Sequence, residues 1–524
     1  MSKNHTFVLI KIMNPNIIFL CIVAYFLLLY VISHITGKND NNDTFFLGNK
    51  TSPWFVIAYG MIGTTLSGIT FISVPGWVES NQFSYMQMVF GFFCGYFIIS
   101  RILLPLYYKL GLTSIYTYLK DRFGVYSYKT GSSFFLISRT IGASFRLFLV
   151  ATVLQFAVFD SWNIPFEFTV IVTIALIWLY TYRSGMKTII WTDTLQTTFM
   201  LSTVIIVAYS LISTLDLSFS QTISKINTSD YSKIFFFEDW KDEKYFYKQF
   251  FSGVFMAIVM TGLDQDQMQK NLSCKNVNDA KKNMTVFSTI LIFVDLLFLA
   301  LGALLYIYSN EVGINIPDDR DMLFPNIALN SGLPEYVGVL FIIGIIAAAY
   351  SSADSALTSL TTSFCVDIIE FEKQDKKKQI VTRKYVHLFF SLVLLTVILV
   401  FKALNDQSVV KSLFTVAGYT YGPLLGMFAF GLFTKFSVKD KCVPFIAVLS
   451  PIICLLIKNP TWIFEKFLKN ENLLFLYSER LHQISIEIAE YTSGIGFELL
   501  IINGIITFIG LYIFRRENTS VKKS

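Results

Sequence analysis

The chain has 524 residues, of which 54% are hydrophobic and only 15% charged, and its formal net charge is +6. This apolar content exceeds what one soluble core can bury, so the composition excludes a soluble globular domain and indicates a polytopic membrane protein. No basic segment is interleaved with aromatic residues in the way that a groove for a nucleic-acid strand requires. We therefore expect no nucleic-acid partner.

Apolar runs of roughly 17 to 25 residues, the length that crosses a bilayer, recur along the whole chain. We count about 13 of them and predict an all-α polytopic membrane protein with about 13 transmembrane helices, forming a single integral membrane domain over residues 1–524. The runs lie near residues 15–36, 54–76, 83–108, 128–158, 164–182, 189–213, 249–265, 283–308, 336–367, 383–403, 407–434, 441–458 and 496–516. The first run has no small-residue cleavage site, so we expect a retained helix and not a signal peptide.

Basic residues predict the orientation of these spans. They concentrate in alternate loops and in the C-terminal tail. One of these loops is predicted to contain Lys270, Lys275, Lys281 and Lys282. By the positive-inside rule these loops and the C-terminus are cytoplasmic, and an odd number of spans leaves the N-terminus outside. We expect a multi-pass protein of the plasma (inner) membrane that functions as a monomer in the lipid bilayer.

The second span contains "GMIGTTLSGITFISVPG", residues 60–76, which holds four glycines, one proline and five hydroxyl residues. Lipid cannot hydrogen-bond a free carbonyl, so a broken helix at membrane depth survives only where protein or a water-filled cavity surrounds it. Transporters use such breaks to coordinate cations and to face the substrate. Small residues also allow close helix packing, which is the structural alternative for this stretch.

The ninth span contains "AAAYSSADSALTSLTTSF", residues 347–364, in which eight Ser and Thr residues surround one acidic residue. Ser351, Asp354 and Ser355 share one helix face because they lie three and four positions apart. A carboxylate flanked by hydroxyls supplies the several oxygen ligands that a hard cation such as sodium requires. A hydrogen-bonded polar seam does not account for Asp354, since a buried carboxylate within a span is costly and usually functional.

Other charged residues also lie within the apolar runs. Asp193 stands near the cytoplasmic start of the sixth span, and Arg139 and Arg146 stand seven residues apart on the fourth, so that both face the bundle interior. The two arginines either pair with Asp193, Asp295 or Asp354, or one of them binds an anionic substrate by a bidentate interaction. The sequence gives no role for Asp295.

The sequence offers little support for catalysis. Its six Cys and four His are scattered without metal-ligand spacing, and no nucleotide-binding loop or nucleophile motif is present. We therefore predict that the protein is not an enzyme and has no cofactor.

Taken in order, these motifs resemble those of the sodium:solute symporter family. The matching stretches are "TLSGITFISVPG", "GLTSIYTYLKDRFG" (111–124), "WTDTLQ" (191–196), "DQDQMQKNLSCKNVNDAKK" (264–282) and "AAAYSSADSALTS" (347–359). The resemblance covers about residues 45 to 435 and implies an inverted-repeat core of five plus five helices, in which each half begins with a discontinuous helix. The implied parts are a peripheral helix at 15–36, a first repeat at 54–213, a second repeat at 249–434 and peripheral helices at 441–516.

The resemblance also implies ion ligands, carried over position by position. The principal sodium site would use carbonyls and hydroxyls of Gly63, Leu66, Ala348, Ser351 and Ser352. Some members bind another sodium ion at positions that correspond to Asp193, Ser351, Asp354 and Ser355. Residue 354 is Asp here where those members have Ser, which could strengthen sodium binding, add a proton-linked step or form a salt bridge with an arginine, so the sodium stoichiometry stays open.

For the solute, the match is to the sialic-acid transporting branch of the family. The implied substrate-binding residues are Thr65, Ser67, Thr70, Phe83, Gln87, Arg146 and Phe255. Hydroxyls and a guanidinium suit a carboxylate, so we expect a symporter that uses sodium as its coupling ion to import a small organic solute such as sialic acid. A sodium symporter for a neutral sugar or amino acid is the alternative. A transporter-like channel or sensor is the alternative class, but a channel needs a continuous polar pore and the polar residues cluster at two elements.

Overall fold

A computed structural model describes residues 15–36, 42–182, 185–404, 409–458 and 495–516, and most of these residues are helical. In these ranges nine helices are long and apolar enough to cross a membrane. They are α1 (Pro15–Thr36), α4 (Tyr85–Leu110), α5 (Val125–Trp162), α7 (Gly185–Thr214), α10 (Val277–Val312), α11 (Glu335–Ile368), α12 (Lys376–Ala403), α13 (Ser412–Phe433) and α14 (Asp440–Lys458). The prediction of an all-α, multi-span membrane protein is confirmed.

Two further spans are broken. Helix α2 (Trp54–Thr65) meets α3 (Gly68–Asn81) at an angle of 54°, and α8 (Phe246–Gly262) meets α9 (Gln265–Leu272) at 65°. The first break falls inside the stretch rich in Gly, Ser and Thr, where helix propensity is low. Both breaks lie where the sequence predicts discontinuous helices.

Two shorter apolar helices, α6 (Phe166–Thr181) and α15 (Leu499–Ile513), coincide with the remaining predicted runs. Every predicted run therefore has a helical counterpart in the described part of the chain. The number of spans that cross the bilayer and the inverted relation between the two halves stay predictions.

The connections carry a few short elements. Short helices lie at Asn42–Leu47, Thr117–Arg122, Phe219–Asn227 and Leu323–Asn330. Strand β1 (Ser437–Val438) pairs antiparallel with β2 (Arg515–Arg516), with Ser437 opposite Arg516. This two-residue ladder joins the segment before α14 to the segment after α15.

Burial shows which helices form the centre of the bundle. In α11, 78% of the most apolar 18-residue window is buried, against 28% in α1 and 28% in α14. Helix α11 packs against α2, α5, α7 and α9. The polar ninth span thus lies at the centre and contacts both broken helices, whereas α1 and α14 expose most of their apolar surface, as lipid-facing helices do.

Candidate functional site

The break between α2 and α3 consists of two residues. Leu66 and Ser67 have backbone angles outside the helical range, with φ −78° and ψ 29° at Leu66 and φ −28° and ψ 175° at Ser67. The carbonyls in the last turn of a helix lack partners within that helix. Ser352 Oγ of α11 satisfies one of them, because it bonds to the Thr64 carbonyl at 3.2 Å and also to the Ala348 carbonyl at 3.3 Å.

Gly63 explains how α2 approaches α7 so closely. Its N–H donates to Thr197 Oγ1 at 3.1 Å, and a Cβ at this position would overlap that hydroxyl group. Small residues that let backbones approach are typical of membrane helix interfaces. This segment therefore contains both a helix break and a glycine that allows close helix packing.

The residues implied for the principal sodium site all lie where α2 ends against α11. All five are buried, and their carbonyl and hydroxyl oxygens are ligands that suit a hard cation. They are Gly63, Leu66, Ala348, Ser351 and Ser352. The Ser351 hydroxyl donates to Asp193 Oδ1 at 2.6 Å and also lies 3.0 Å from the Thr64 hydroxyl.

Lys270 is buried beside this junction. Its side chain is 1% exposed, and its Nζ donates to Asp193 Oδ2 at 2.6 Å and to the Thr64 hydroxyl. The assignment of Lys270 to a solvated cytoplasmic loop is therefore wrong. The physical reason is the second break, after which α9 carries the "QDQMQKNL" segment back into the protein with every residue buried.

Asp354 lies in the same polar interior. Its Oδ2 accepts a hydrogen bond from the Tyr180 hydroxyl at 3.0 Å, and its Oδ1 accepts from the Ser355 N–H at 2.6 Å. The Ser355 hydroxyl has no hydrogen-bond partner among the described residues. The residues implied for a second sodium ion are thus buried, and the Asp193 carboxylate among them is bound by Lys270.

The two arginines of α5 have different partners. Arg139 forms an ion pair with Asp266, and its Nη1 lies 4.0 Å from Asp264 Oδ2. Pairing of Arg139 with Asp193, Asp295 or Asp354 was therefore the wrong expectation. Its true partners were missed because both acidic residues sit at the start of α9, where Asp264 caps the helix. Asp295 is buried on α10, and the described structure assigns it no role.

Arg146, in contrast, has no hydrogen bond or ion pair with any residue that the structure describes, although it is only 7% exposed. Arg146 lines a cavity of about 90 Å³, together with Thr65, Ser67 and Thr70 from the first break. The prediction that both arginines face the bundle interior is confirmed, since Arg139 lines the same cavity.

Three residues implied for substrate binding do not line this cavity. Gln87 donates to the Lys244 carbonyl at 2.8 Å and accepts from the Phe236 N–H at 3.2 Å, so its amide holds the segment between α7 and α8. Phe83 is buried, and Phe255 is half-buried against the core. Most of the lining residues that the sequence did not identify are aromatic or aliphatic, and they include Tyr85, Phe92, Tyr96, Met256, Met260 and Phe414.

Residues 45–438 match the sodium:solute symporter family. The chain belongs to this family. Among its relatives, a sodium/sialic acid symporter of Aliivibrio fischeri is 25% identical over 77% of this chain and 80% of the relative. The human sodium/iodide cotransporter is 23% identical over 76% of this chain and 62% of the relative.

A solved structure supports the same assignment of fold. A sodium-coupled sialic acid symporter in a substrate-bound outward-open state aligns with a TM-score of 0.75 at 19% identity, covering 95% of this chain and 97% of that one. This member of the sodium:solute symporter family is a multi-pass membrane transporter and not an enzyme, and sodium is its coupling ion.

Proposed function

We propose that the chain imports a small organic anion, with a carboxylate solute such as sialic acid as the leading candidate, through the cavity at the first break. The observation that supports this most strongly is the unpaired guanidinium of Arg146, measured against all residues in the described ranges. It faces the cavity beside the hydroxyl residues Thr65, Ser67 and Thr70.

The argument rests on the free energy of a buried charge. A buried ion without a partner is strongly destabilising, by several kcal/mol, so buried arginines normally pair with a carboxylate. Arg139, two helical turns away on the same face of α5, has such a partner in Asp266. A solute carboxylate would supply the missing partner of Arg146 by accepting from two parallel N–H donors, which the hydroxyl groups of a neutral sugar do not match as well.

The size of the cavity limits what this conformation can hold. Its volume of about 90 Å³ is well below the roughly 300–1,000 Å³ of pockets that enclose a drug-sized ligand. A compact anion fits directly, and a sugar acid requires the aromatic walls to move apart. The two relatives described above are named for sialic acid and iodide, which are both anions.

For the coupling ion, we assign Gly63, Leu66, Ala348, Ser351 and Ser352 as sodium ligands. Ser352 already bonds to the Thr64 and Ala348 carbonyls, so α2 and α11 lie within reach of one ion. A sodium ion at this junction would hold the end of α2 against α11 and thereby position Thr65 and Ser67 for the solute. Low sodium in the cytoplasm would then favour release on that side.

The orientation and the assembly are part of the proposal. Lys275 and Lys282 are exposed basic residues, and by the positive-inside rule they support a cytoplasmic position for the basic loops and the C-terminus, with the N-terminus outside. One chain holds both the ion and the solute residues, so a monomer in the bilayer is sufficient.

Uptake by the purified protein in proteoliposomes tests the proposal. A panel of sialic acids, monocarboxylates, neutral sugars and amino acids is offered with and without a sodium gradient. We expect sodium-dependent uptake of an anion, and we expect Ser352→Ala to raise the half-saturating sodium concentration by roughly 10-fold, as for the loss of one ligand worth about 1.4 kcal/mol.

Ser359→Ala is the matched control, because Ser359 is a buried hydroxyl of α11 whose one bond within the described ranges goes to the Ala356 carbonyl of its own helix. It should leave the sodium dependence unchanged. Uptake that ignores sodium, or a Ser352→Ala variant that behaves as Ser359→Ala does, would overturn the sodium site. Sodium-driven uptake of a neutral solute alone would overturn the anion assignment.

A further inference from the structure

The Lys270 ammonium is a buried cation of the polar interior that the proposed function does not use. It lies on α9, after the second break. Its Nζ bonds to Thr64 on α2, in the first broken span, and to Asp193 on α7. We propose that this ammonium is a fixed cation that takes the place of a second sodium ion, so that the transporter couples one sodium ion to each solute. The inference rests on the proposed sodium-coupled transport.

The contacts of Asp193 carry the first step. Its Oδ2 accepts from Lys270 Nζ at 2.6 Å and from the Thr64 hydroxyl at 3.2 Å, while its Oδ1 accepts from the Ser351 hydroxyl at 2.6 Å. Both carboxylate oxygens are therefore bonded within the protein. A hard cation needs several oxygen ligands at close range, so a sodium ion at Asp193 would have to compete with the ammonium and with both hydroxyls for this carboxylate.

Burial carries the second step. The Lys270 and Asp193 side chains are each 1% exposed, so water has little access to either partner. Removing one member of a buried pair leaves an uncompensated charge, which is strongly unfavourable. The ammonium is also covalently tethered to a helix, so it can neither dissociate into the cytoplasm nor follow the sodium gradient.

The charge balance of the cluster carries the third step. The Lys270 ammonium and the Asp193 carboxylate form an ion pair, so their charges compensate each other within the protein. A second mobile cation beside this pair would add an excess positive charge in a low-dielectric interior. Asp354 itself is held by the Tyr180 hydroxyl and the Ser355 N–H, and no cation of the described residues forms an ion pair with it.

This assignment has an electrical consequence. A monoanionic solute that crosses with one sodium ion carries no net charge across the membrane. Transport should then respond to the sodium gradient but not to the membrane potential. A second transported sodium ion would instead make uptake faster at an inside-negative potential.

The test uses the full-length protein in proteoliposomes with a monoanionic solute that the uptake panel identifies. Radioactive sodium and solute fluxes are measured together, and the membrane potential is set with potassium and valinomycin. For the unmodified protein we expect one sodium ion per solute, a Hill coefficient of 1 for sodium and the same rate at zero and −100 mV. Two sodium ions per solute would overturn the inference while leaving the proposed function intact.

Variants at position 270 separate the fixed charge from a merely structural role. Lys270→Met removes the charge, so we expect the flux ratio to rise toward two and the rate to become sensitive to potential. Lys270→Arg keeps a fixed cation and should keep the ratio at one. Lys275→Met, at an exposed position of the same segment, is the control for unrelated effects.

The remaining outcomes are also decisive. An active Lys270→Met variant that still moves one sodium ion per solute would overturn the assignment, because the vacated site would then attract no ion. If Lys270→Met does not fold, the flux ratio of the unmodified protein decides alone. If the unmodified protein shows no sodium-dependent uptake at all, the proposed function fails and the inference fails with it.

Discussion

Arg146 and Lys270 are both cations buried in the centre of the bundle, but the protein treats them differently. Lys270 is bonded to Asp193 and to the Thr64 hydroxyl, whereas Arg146 has no polar partner in the part of the chain that the structure describes. Both lie beside the break in the second span. Arg146 lines the cavity, and the Lys270 ammonium is bonded at the junction of α2, α7 and α11.

The difference teaches how one polar interior separates two tasks. A charge whose partner belongs to the protein stabilises one arrangement of helices, and its removal should appear mainly as a loss of stability. A charge whose partner arrives from outside should instead appear as a loss of affinity. Substitutions at the two cations and at the break between them therefore give distinct signatures.

The largest effect is expected from Asp193→Asn. This change leaves Lys270 buried without a counter-charge, and the free energy of unfolding should fall by about 3–5 kcal/mol. The measurement is the apparent Tm of the detergent-purified protein. Adding Lys270→Met to Asp193→Asn removes the stranded charge and should restore most of the lost Tm, and no recovery would contradict the pairing.

A smaller effect, confined to solute binding, is expected from Arg146→Gln. The loss of charge-assisted hydrogen bonds worth about 1.5–3 kcal/mol should weaken the affinity for an anionic solute by roughly 10- to 150-fold. The Tm without solute should stay the same or rise, since no protein ion pair is lost. Arg139→Gln is the comparison, because it strands Asp266 and should lower the Tm. Unchanged solute affinity in Arg146→Gln would remove the distinction between the two cations.

The smallest effect is expected at the break itself. In Gly63→Ala the new Cβ meets the Thr197 hydroxyl, so we expect a destabilisation of about 1–3 kcal/mol, as for overpacking of a filled interior. Thr197→Ala makes room for that Cβ, and the double variant should regain part of the Tm although it lacks the bond from the Gly63 N–H. A single variant as stable as the parent would show that α2 and α7 are less tightly packed than the structure indicates.

Much of the fold could be predicted from the sequence because apolar length and helix-breaking composition are local properties. The break near Leu66 follows from glycines and hydroxyl residues within an apolar run, and the inward face of Arg139 and Arg146 follows from their spacing. The family resemblance added the second break, which "MTGLDQ" alone suggests only weakly.

The partners of the charges could not be predicted in this way. The positive-inside rule counts cations by their distance from an apolar run and cannot show that α9 turns Lys270 back into the protein. The pairing of Arg139 with Asp266 could not be predicted for a similar reason, because residues just beyond a predicted span are expected to be solvated. The polar segment "DQDQMQKN" held one usable signal, because Asp266 and Lys270 lie four residues apart on a helix that follows a break.

The two-residue break at Leu66 and Ser67 also constrains how such a transporter can change its preference during evolution. Proposed ion ligands at Gly63 and Leu66 alternate with proposed solute contacts at Thr65 and Ser67 along five consecutive residues. A substitution that reshapes the chain there for a new solute also displaces an ion ligand next to it. New specificities are therefore expected to arise first in the aromatic walls, at positions such as Tyr96 and Phe414. A substitution there does not alter the backbone that supplies the proposed ion ligands.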